Sequence, residues 1–335
     1  MSGIVNDVAV IVPAHQAGAT LGDCLAAIGR DGVPPDRTIV VDDGSRDATG
    51  DIAAQAGARV VRHGTPRRPA RARNAGMALT DAAIVVFVDA DVVVNRGAIS
   101  RLLAAFDDPE TGAAIGSYDD APSAPRLVSR YRNLLHHHVH QTAGHEADTF
   151  WSGFGAVRRA AFDDAGPFDP AWENIEDVEF GLRLRAAGWR IALVPGAQAT
   201  HAKDWTLGSM FRTDLWGRAV PWTRLLIAGR MPPSAMNGGA RHRLAAAGVA
   251  AALLALPLAP FWPPALLVLL AGAALFLAAN AAFWRRLARI GGARLVLGAI
   301  PAHAVHYVAA LLGYGYARLR PVGEAGNAAG TGEDA

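Results

Sequence analysis

Between Leu244 and Trp284 the chain runs 41 residues without one charged side chain. As a single straight helix this run would be about 60 Å long, twice a bilayer core of about 30 Å. Its middle reads Pro257-Leu-Ala-Pro260-Phe-Trp-Pro263-Pro264. Four prolines so close together end a helix, because each ring removes a backbone donor and clashes with the preceding turn. Two membrane crossings joined by a tight turn are therefore expected, with Trp262 and Trp284 at polar interfaces. A third stretch, Leu295 to Ala317, lacks Asp, Glu, Lys and Arg but carries Pro301, His303 and His306. It suits a span, a re-entrant segment or an interfacial helix. A buried helical core fits less well, since soluble helices keep a polar face.

Basic residues bracket the long apolar run. Arg241 and Arg243 precede it, and Arg285, Arg286 and Arg289 follow it. The positive-inside bias puts both flanks, and the front of the chain with them, in the cytoplasm of a multi-pass inner-membrane protein. Arg318 and Arg320 put the C-terminus inside too, which conflicts with a third full crossing and leaves that point open. Met1 to Asp7 has neither a basic n-region nor a long apolar run, so it does not read as a signal peptide. The net charge of the 335 residues is only +2, but the balance is uneven. Residues 1–240 hold 24 basic and 27 acidic groups, whereas beyond Ala240 there are eight arginines and three acids. That asymmetry argues against a nucleic-acid binder, and 51% apolar residues against a disordered chain. A single cysteine, Cys24, excludes a disulfide framework and a Cys-based metal cluster.

Residues 8–118 alternate strand and helix patterns. Short β-branched runs at Val8–Val12, Thr38–Val41, Arg59–Val61 and Ile84–Val88 suit strands. Helical patterns fill Thr20–Ile28, Ala48–Ala56, Ala70–Leu79 and Arg96–Phe106. Such alternation predicts a doubly wound, mostly parallel α/β sheet, with ligands bound past the C-terminal strand ends. Acids stand at those ends: Asp42-Asp43-Gly44-Ser45 after the second strand and Asp89-Ala90-Asp91 after the strand at Ile84. Carboxylates just past buried strands are costly unless they bind something. Two acids spaced i, i+2 on a turn can face one ligand, and their hard oxygens suit Mg²⁺ or Mn²⁺. The bland alternative, strongest for Ser45 and Asp47, is that these residues cap the following helices.

Pro13-Ala14-His15, Val41-Asp-Asp-Gly-Ser45, Ala72-Arg73-Asn74-Ala75-Gly76 and Val88-Asp89-Ala90-Asp91 follow in an order and spacing that resemble family 2 glycosyltransferases. Trp151-Ser-Gly153-Phe-Gly155 and Asn174-Ile-Glu176-Asp177-Val178-Glu179 continue the likeness, which covers roughly residues 5–225. The resemblance implies the GT-A fold and an inverting transfer of a sugar from a nucleoside diphosphate donor, UDP favoured and GDP possible. It places Pro13, Ala14, Asp42, Asp43, Arg73, Asp89 and Asp91 at the donor, and Asp91, Asp89 and His201 on a divalent cation. His201 is expected after a strand Ile191–Val194 and a loop Pro195–Thr200. Inversion needs a base opposite the leaving group, and Asp177 is the expected one. The simpler alternative is that Glu176 and Asp177 complement a helix dipole. Trp151, Gly153, Glu176, Trp205, Arg218 and Trp222 are expected on the acceptor side.

The expected organisation is a GT-A domain over 1–225, a juxtamembrane linker over 226–243, a transmembrane hairpin with a third apolar helix over 244–317, and a flexible tail over 318–335. His136-His137-His138-Val139-His140 invites a metal reading, but only His136 and His140 share a helical face, so Leu127–Ala143 reads as a surface helix. Asp119 and Asp120 are expected to end the strand Ala114–Ser117 at the rim of the site. A membrane-bound enzyme suits a lipid or lipid-linked envelope glycan as acceptor. One variant glycosylates polyprenyl phosphate itself, and a reading of another class is a nucleotide-binding membrane protein without transfer activity. No Gly-x-Gly-x-x-Gly follows the first strand and no P-loop motif occurs, which argues against a Rossmann oxidoreductase and a P-loop NTPase.

Overall fold

The computed structural model describes residues 7–231 and 239–320. The expectations for the extreme N-terminus, for the middle of the linker and for the tail beyond Arg320 lie outside the described residues. The chain divides into two compact units. One comprises residues up to Ala124 together with Val139–Lys203, and the other Pro125–His138 together with residues from Asp204 onward.

The first unit is built on one eight-stranded sheet in the order β3-β2-β1-β4-β7-β6-β8-β5. Its strands are β1 (Val8–Ala14), β2 (Thr38–Asp42), β3 (Arg59–Arg62), β4 (Ile84–Val88), β5 (Val92–Val94), β6 (Thr111–Tyr118), β7 (Phe154–Arg158) and β8 (Arg190–His201). The run β3-β2-β1-β4 is parallel throughout, as is β6 with β8. β2 and β4 are buried along their whole length, which is why Ile39–Val41 and Ile84–Val88 are continuous apolar runs. Helices α1 (Leu21–Arg30), α2 (Thr49–Gln55), α3 (Arg68–Met77), α4 (Ala98–Leu103), α6 (Arg159–Ala165) and α7 (Glu176–Ala186) accompany the sheet. In α1, Leu21, Cys24, Leu25 and Ile28 form the buried stripe at helical spacing.

Four elements differ from expectation. β5 and β7 were not anticipated; both pair antiparallel, with β8 and β4 respectively. One is only three residues long, and the other, Phe-Gly-Ala-Val-Arg, has no clear alternation. The expected loop Pro195–Thr200 is instead part of β8. Leu193 pairs with Ile115 but Gln198 with Ser117, so Pro195 and Gly196 sit in a bulge that interrupts the strand pattern without ending the strand. Helix α4 starts at Ala98, after Gly97 at φ 73°.

Two glycines fix how helices meet their neighbours. A Cβ on Gly76 of α3 would lie 2.6 Å from Ile11 Cγ2 of β1. A Cβ on Gly181 of α7 would collide with the backbone nitrogen of Phe150, which cannot move aside. Gly181→Ala is expected to lower stability by about 1–3 kcal/mol through overpacking. A thermal unfolding midpoint unchanged from the parent would contradict that close approach.

The second unit is helical. It contains the first part of α5 (Leu127–Thr142), α8 (Leu207–Arg212), a π-helical segment Thr213–Ala219, α9 (Val220–Ile227), α10 (Ala240–Ala255), α11 (Pro263–Ala279) and α12 (Ala281–Leu319). α10 and α11 flank the proline-rich turn and touch at two glycines; a Cβ on Gly248 would lie 2.6 Å from the Gly272 carbonyl oxygen, and the reverse holds equally. Small residues let the two backbones approach this closely. Among the described residues one helix, Ala281–Leu319, is long and apolar enough to cross a membrane, while Pro263–Ala279 is apolar but shorter. Gly291 and Gly292 break the helical geometry of α12. The expected surface helix at 127–143 is corrected: His137, His138 and His140 are buried. Tyr131, Leu134 and His138 share one helical face, and that face joins the core of the second unit, with the His138 ring 5.2 Å from that of Phe283.

Candidate active site

The C-terminal ends of β1, β2 and β4 carry the residues singled out by the sequence. Parallel pairing sets Pro13 opposite Val41 and Ala14 opposite Asp42. Asp43 N then donates to Ala14 O at 2.7 Å. Gly44 takes φ 73°, and a Cβ there would lie 2.7 Å from Pro66 N, so the turn requires glycine. Asp42 Oδ1 accepts from Ser45 N at 3.0 Å. Asp43 is committed to the start of α3: its carboxylate accepts from the backbone N–H of Arg67 at 2.9 Å and of Arg68 at 2.7 Å, and lies 2.6 Å from His63 Nδ1. The two adjacent acids thus hold different places. Ser45 and Asp47 reach back to the β1–α1 loop, accepting from Gln16 N and Gly18 N at 2.9 Å each.

The Asp89-Ala90-Asp91 turn is held from both sides. Asp89 N donates to Gly153 O at 3.1 Å, and Ala202 N donates to Asp91 O at 2.8 Å. Val92 pairs with His201 across β5 and β8, which brings Asp91 Oδ2 within 3.5 Å of His201 Nε2. Tyr118, at the end of β6, stacks on the His201 ring with centroids 4.5 Å apart and planes at 8°. Trp151 meets Tyr118 edge-on at 4.9 Å. Burial pushes the Asp91 carboxyl up, but hydrogen bonding and charge from His201, with Lys203, outweigh it and hold the group below its ordinary range.

Arg73 of α3 is the centre of the other half of the site. Its guanidinium donates to Glu176 Oε1 at 2.6 Å and to Asp89 Oδ1 at 2.9 Å, and its side chain is 4% exposed. Burial raises the pKa of both Asp89 and Glu176, and the charge of Arg73 opposes that rise without cancelling it. For Arg73 itself burial works against the charged form, and Asp89, Glu176 and Asp177 together more than compensate. Next along α7, Asp177 Oδ2 accepts from Ser152 N at 3.1 Å and from Ser152 Oγ at 3.0 Å, and Oδ1 from Val178 N at 2.8 Å. Hydrogen bonds and stacked rings therefore connect Asp177, Ser152, Glu176, Arg73, Asp89 and Gly153 on one branch, and Asp91, His201, Tyr118 and Trp151 on the other, all within the first unit.

Three of the expected acceptor residues lie in the second unit. Trp205 is buried among Tyr131, Met210 and Phe283 and donates its backbone N–H to Ser129 Oγ at 2.7 Å. Arg218 lies in the π-helical segment, 3.4 Å from Asp214 Oδ1, and Trp222 is half-buried on α9. Asp119 is buried, with Thr200 Oγ1 bonded to its carboxylate. Ser152 and Tyr118 were not singled out from the sequence. Ser152 stands between the two residues of its motif that were, and Tyr118 is the aromatic that ends a strand just before an acidic pair.

A sheet of this order, with an Asp-x-Asp turn past a central strand and a second acidic pair opening a helix beside it, defines an α/β protein of GT-A fold. Residues 9–166 match the family described as Glycosyl transferase family 2, and that match supports reading the chain as a family 2 glycosyltransferase. It is 30% identical over 253 residues to the Pre-mycofactocin glycosyltransferase of Mycobacterium tuberculosis, an alignment covering 70% of this chain and 51% of that one. The chain thus spans about half the length of that curated relative. It is 26% identical over 278 residues to the O-antigen chain rhamnosyltransferase RfbN of Salmonella typhimurium, covering 77% and 84% of the two chains. Among solved structures it resembles the mannosyltransferase PcManGT from Pyrobaculum calidifontis in complex with GDP-Man and Mn²⁺, with a TM-score of 0.61 at 21% identity over 92% of this chain and 87% of that one. At that identity the likeness is one of fold.

Proposed function

We propose that the protein transfers a sugar, with inversion, from a nucleoside diphosphate sugar to a hydroxyl of a lipid-linked or envelope glycan acceptor at the cytoplasmic face of a membrane. The observation that carries this reading is the convergence, past the C-terminal end of a central strand, of an Asp-x-Asp turn and a separately anchored carboxylate, Asp177, linked through Arg73 and Glu176. In the reaction the bond between sugar C1 and the diphosphate oxygen breaks as the acceptor oxygen bonds to C1. The acceptor proton passes to Asp177, which Ser152 and the Val178 N–H hold in place. Asp42, with Pro13 and Ala14, would line the base pocket.

A divalent cation, Mg²⁺ or Mn²⁺, fits the donor set. Asp91 and His201 offer a hard oxygen and an imidazole nitrogen 3.5 Å apart. Among the described residues no three His, Cys, Asp or Glu side chains converge on one point, so the remaining positions would fall to diphosphate oxygens and water. Asp89 has one oxygen on Arg73. Bound there, the cation would neutralise the departing diphosphate as a Lewis acid.

The relative RfbN, named an O-antigen chain rhamnosyltransferase, supports an envelope glycan as acceptor. Membrane anchoring is supported by α12 and by the exposed Leu254, Phe261, Leu267 and Leu270 around the proline turn. A polyprenyl phosphate acceptor remains the second reading, and the same membrane features favour it. A non-catalytic nucleotide binder is the third.

The test is a donor screen. The full chain in detergent, with Mg²⁺ or Mn²⁺, is offered UDP-, GDP- and dTDP-sugars, and free nucleoside diphosphate is measured. Slow metal-dependent release from one donor is expected, reduced at least tenfold in Asp91→Ala. No binding of any donor by folded protein would sink the donor site. Binding without transfer to any lipid or glycan acceptor would favour the non-catalytic reading.

A further inference from the structure

Between Asp214 and Glu324 the sequence holds eleven arginines and no Asp or Glu. The second unit gathers part of that charge on one side. Residues 281–290 of α12 form an amphipathic piece, with Phe283 and Leu287 buried in the core and Arg285 and Arg289 exposed on the opposite face. Gly292, at φ 66° and ψ −168°, then breaks the helix, and Arg294, also exposed, opens the apolar piece that follows. Arg241 from the start of α10 and Arg286 both act on His138, where burial and these two cations push the imidazole down to about 4. Ala245 of α10 packs in one cluster with Trp284 of α12, so the basic flank of the hairpin and the basic piece of α12 stand on neighbouring helices.

Clustered like charges repel unless an anion joins them. The uncharged stretch Leu295–Ala317 is about 35 Å long as a helix, enough to cross a hydrocarbon core. The arginines stand at its N-terminal end, which on the membrane reading is the depth of the phosphate headgroups. Trp284, adjacent to them and half-buried, is an interfacial type of residue. The five guanidinium groups come from the start of α10, from residues 281–290 of α12 and from Arg294 beyond the break at Gly291 and Gly292, more positive charge than one phosphate can pair. We propose that this face, Arg285, Arg286, Arg289 and Arg294 with Arg241, binds the headgroups of several anionic phospholipids of the membrane surface. The proposal rests on the membrane reading above. It assigns these arginines to the bilayer and not to the sugar acceptor.

The experiment uses the full chain in nanodiscs of zwitterionic lipid. Phosphatidylglycerol or phosphatidylcholine, brominated on the acyl chain near the headgroup, is added in increasing fraction. Quenching of Trp284 is read against Trp284→Phe. Each basic residue near an anionic surface contributes about fivefold in affinity. With two or more arginines engaged, brominated phosphatidylglycerol is expected to quench at a mole fraction at least roughly tenfold lower than brominated phosphatidylcholine. High salt should narrow the difference, and a combined R285Q/R286Q/R289Q variant should abolish it; two of these three side chains are exposed, so the fold is retained. Equal quenching by both lipids overturns the proposal and leaves the membrane reading standing. Quenching by neither overturns both. Displacement of phosphatidylglycerol by one equivalent of polyprenyl phosphate also overturns it, by making the face an acceptor site.

Discussion

Asp177→Asn is expected to slow sugar transfer by about 10²–10⁴-fold, the usual worth of a general base, while nucleotide binding stays within a factor of about three. The asymmetry follows from where Asp177 sits. Its partners are Ser152 and the Val178 N–H, at the opening of α7, whereas the Asp89-Ala90-Asp91 turn is held by Gly153, Ala202, Arg73 and His201. Asparagine has nearly the same shape, and its one oxygen can keep the two Ser152 donors; the amide NH2 then takes the place of the oxygen that accepts from Val178 N, so one local hydrogen bond is lost together with the proton acceptor. Single-turnover transfer and nucleotide titration on the same preparation separate the two effects.

The size of that loss also distinguishes the acceptors. A hydroxyl must give up its proton as it attacks C1, and needs a base. A phosphate acceptor is already an anion at neutral pH and does not. A loss below about tenfold, with intact donor binding and transfer to polyprenyl phosphate, would therefore move the assignment to the lipid-phosphate reading. A loss of 10²-fold or more on a glycan acceptor supports the hydroxyl reading.

The parallel half of the sheet was legible because buried parallel strands need continuous apolar runs, and Ile84–Val88 has no other use. The acids at the strand ends were legible because such positions are costly for a carboxylate without a partner. What the sequence concealed were long-range pairings. Asp42 and Asp43 are neighbours of the same type, and nothing local shows that Asp43 accepts from the amides opening α3, twenty-four residues on. Arg73 was expected at the donor from the family likeness; no local pattern shows that its guanidinium also lies between Asp89 and Glu176, the latter contact spanning 103 residues. Tyr118 stacks on His201 only because β6 and β8 are neighbours in the sheet, an order that local patterns do not encode. In the second unit, the break at Gly291 and Gly292 could have been suspected from the paired glycines. The burial of the histidine tract could not, since its causes are long-range: His138 packs on Phe283 of α12, and His140 bonds the Gly116 carbonyl and meets the Trp151 ring.

Arg73→Met is expected to lower stability by about 3–5 kcal/mol, the cost of leaving a buried charge without its partner. For a unit of this size that corresponds to a fall of roughly 10 °C in the unfolding midpoint. The figure concerns mainly the Arg73–Glu176 pair, whose side chains are 4% and 6% exposed; the Asp89 carboxylate is 36% exposed and can recover water. The sign depends on the charge that remains. Methionine fills most of the arginine's volume, so little cavity forms, and the penalty comes from Glu176 facing Asp177 with no cation between the α7 acids and the Asp-x-Asp turn. Removing that charge should therefore restore stability. Arg73→Met combined with Glu176→Gln is expected to recover at least half of the loss, whereas Glu176→Gln alone, which leaves Arg73 paired with Asp89, should cost less than Arg73→Met. Thermal unfolding of the four proteins forms a double-mutant cycle. Losses that simply add would show that Arg73 is held by packing, including the Phe168 ring 5.8 Å beneath it, and would remove the electrostatic strut between the donor turn and the helix that carries Asp177.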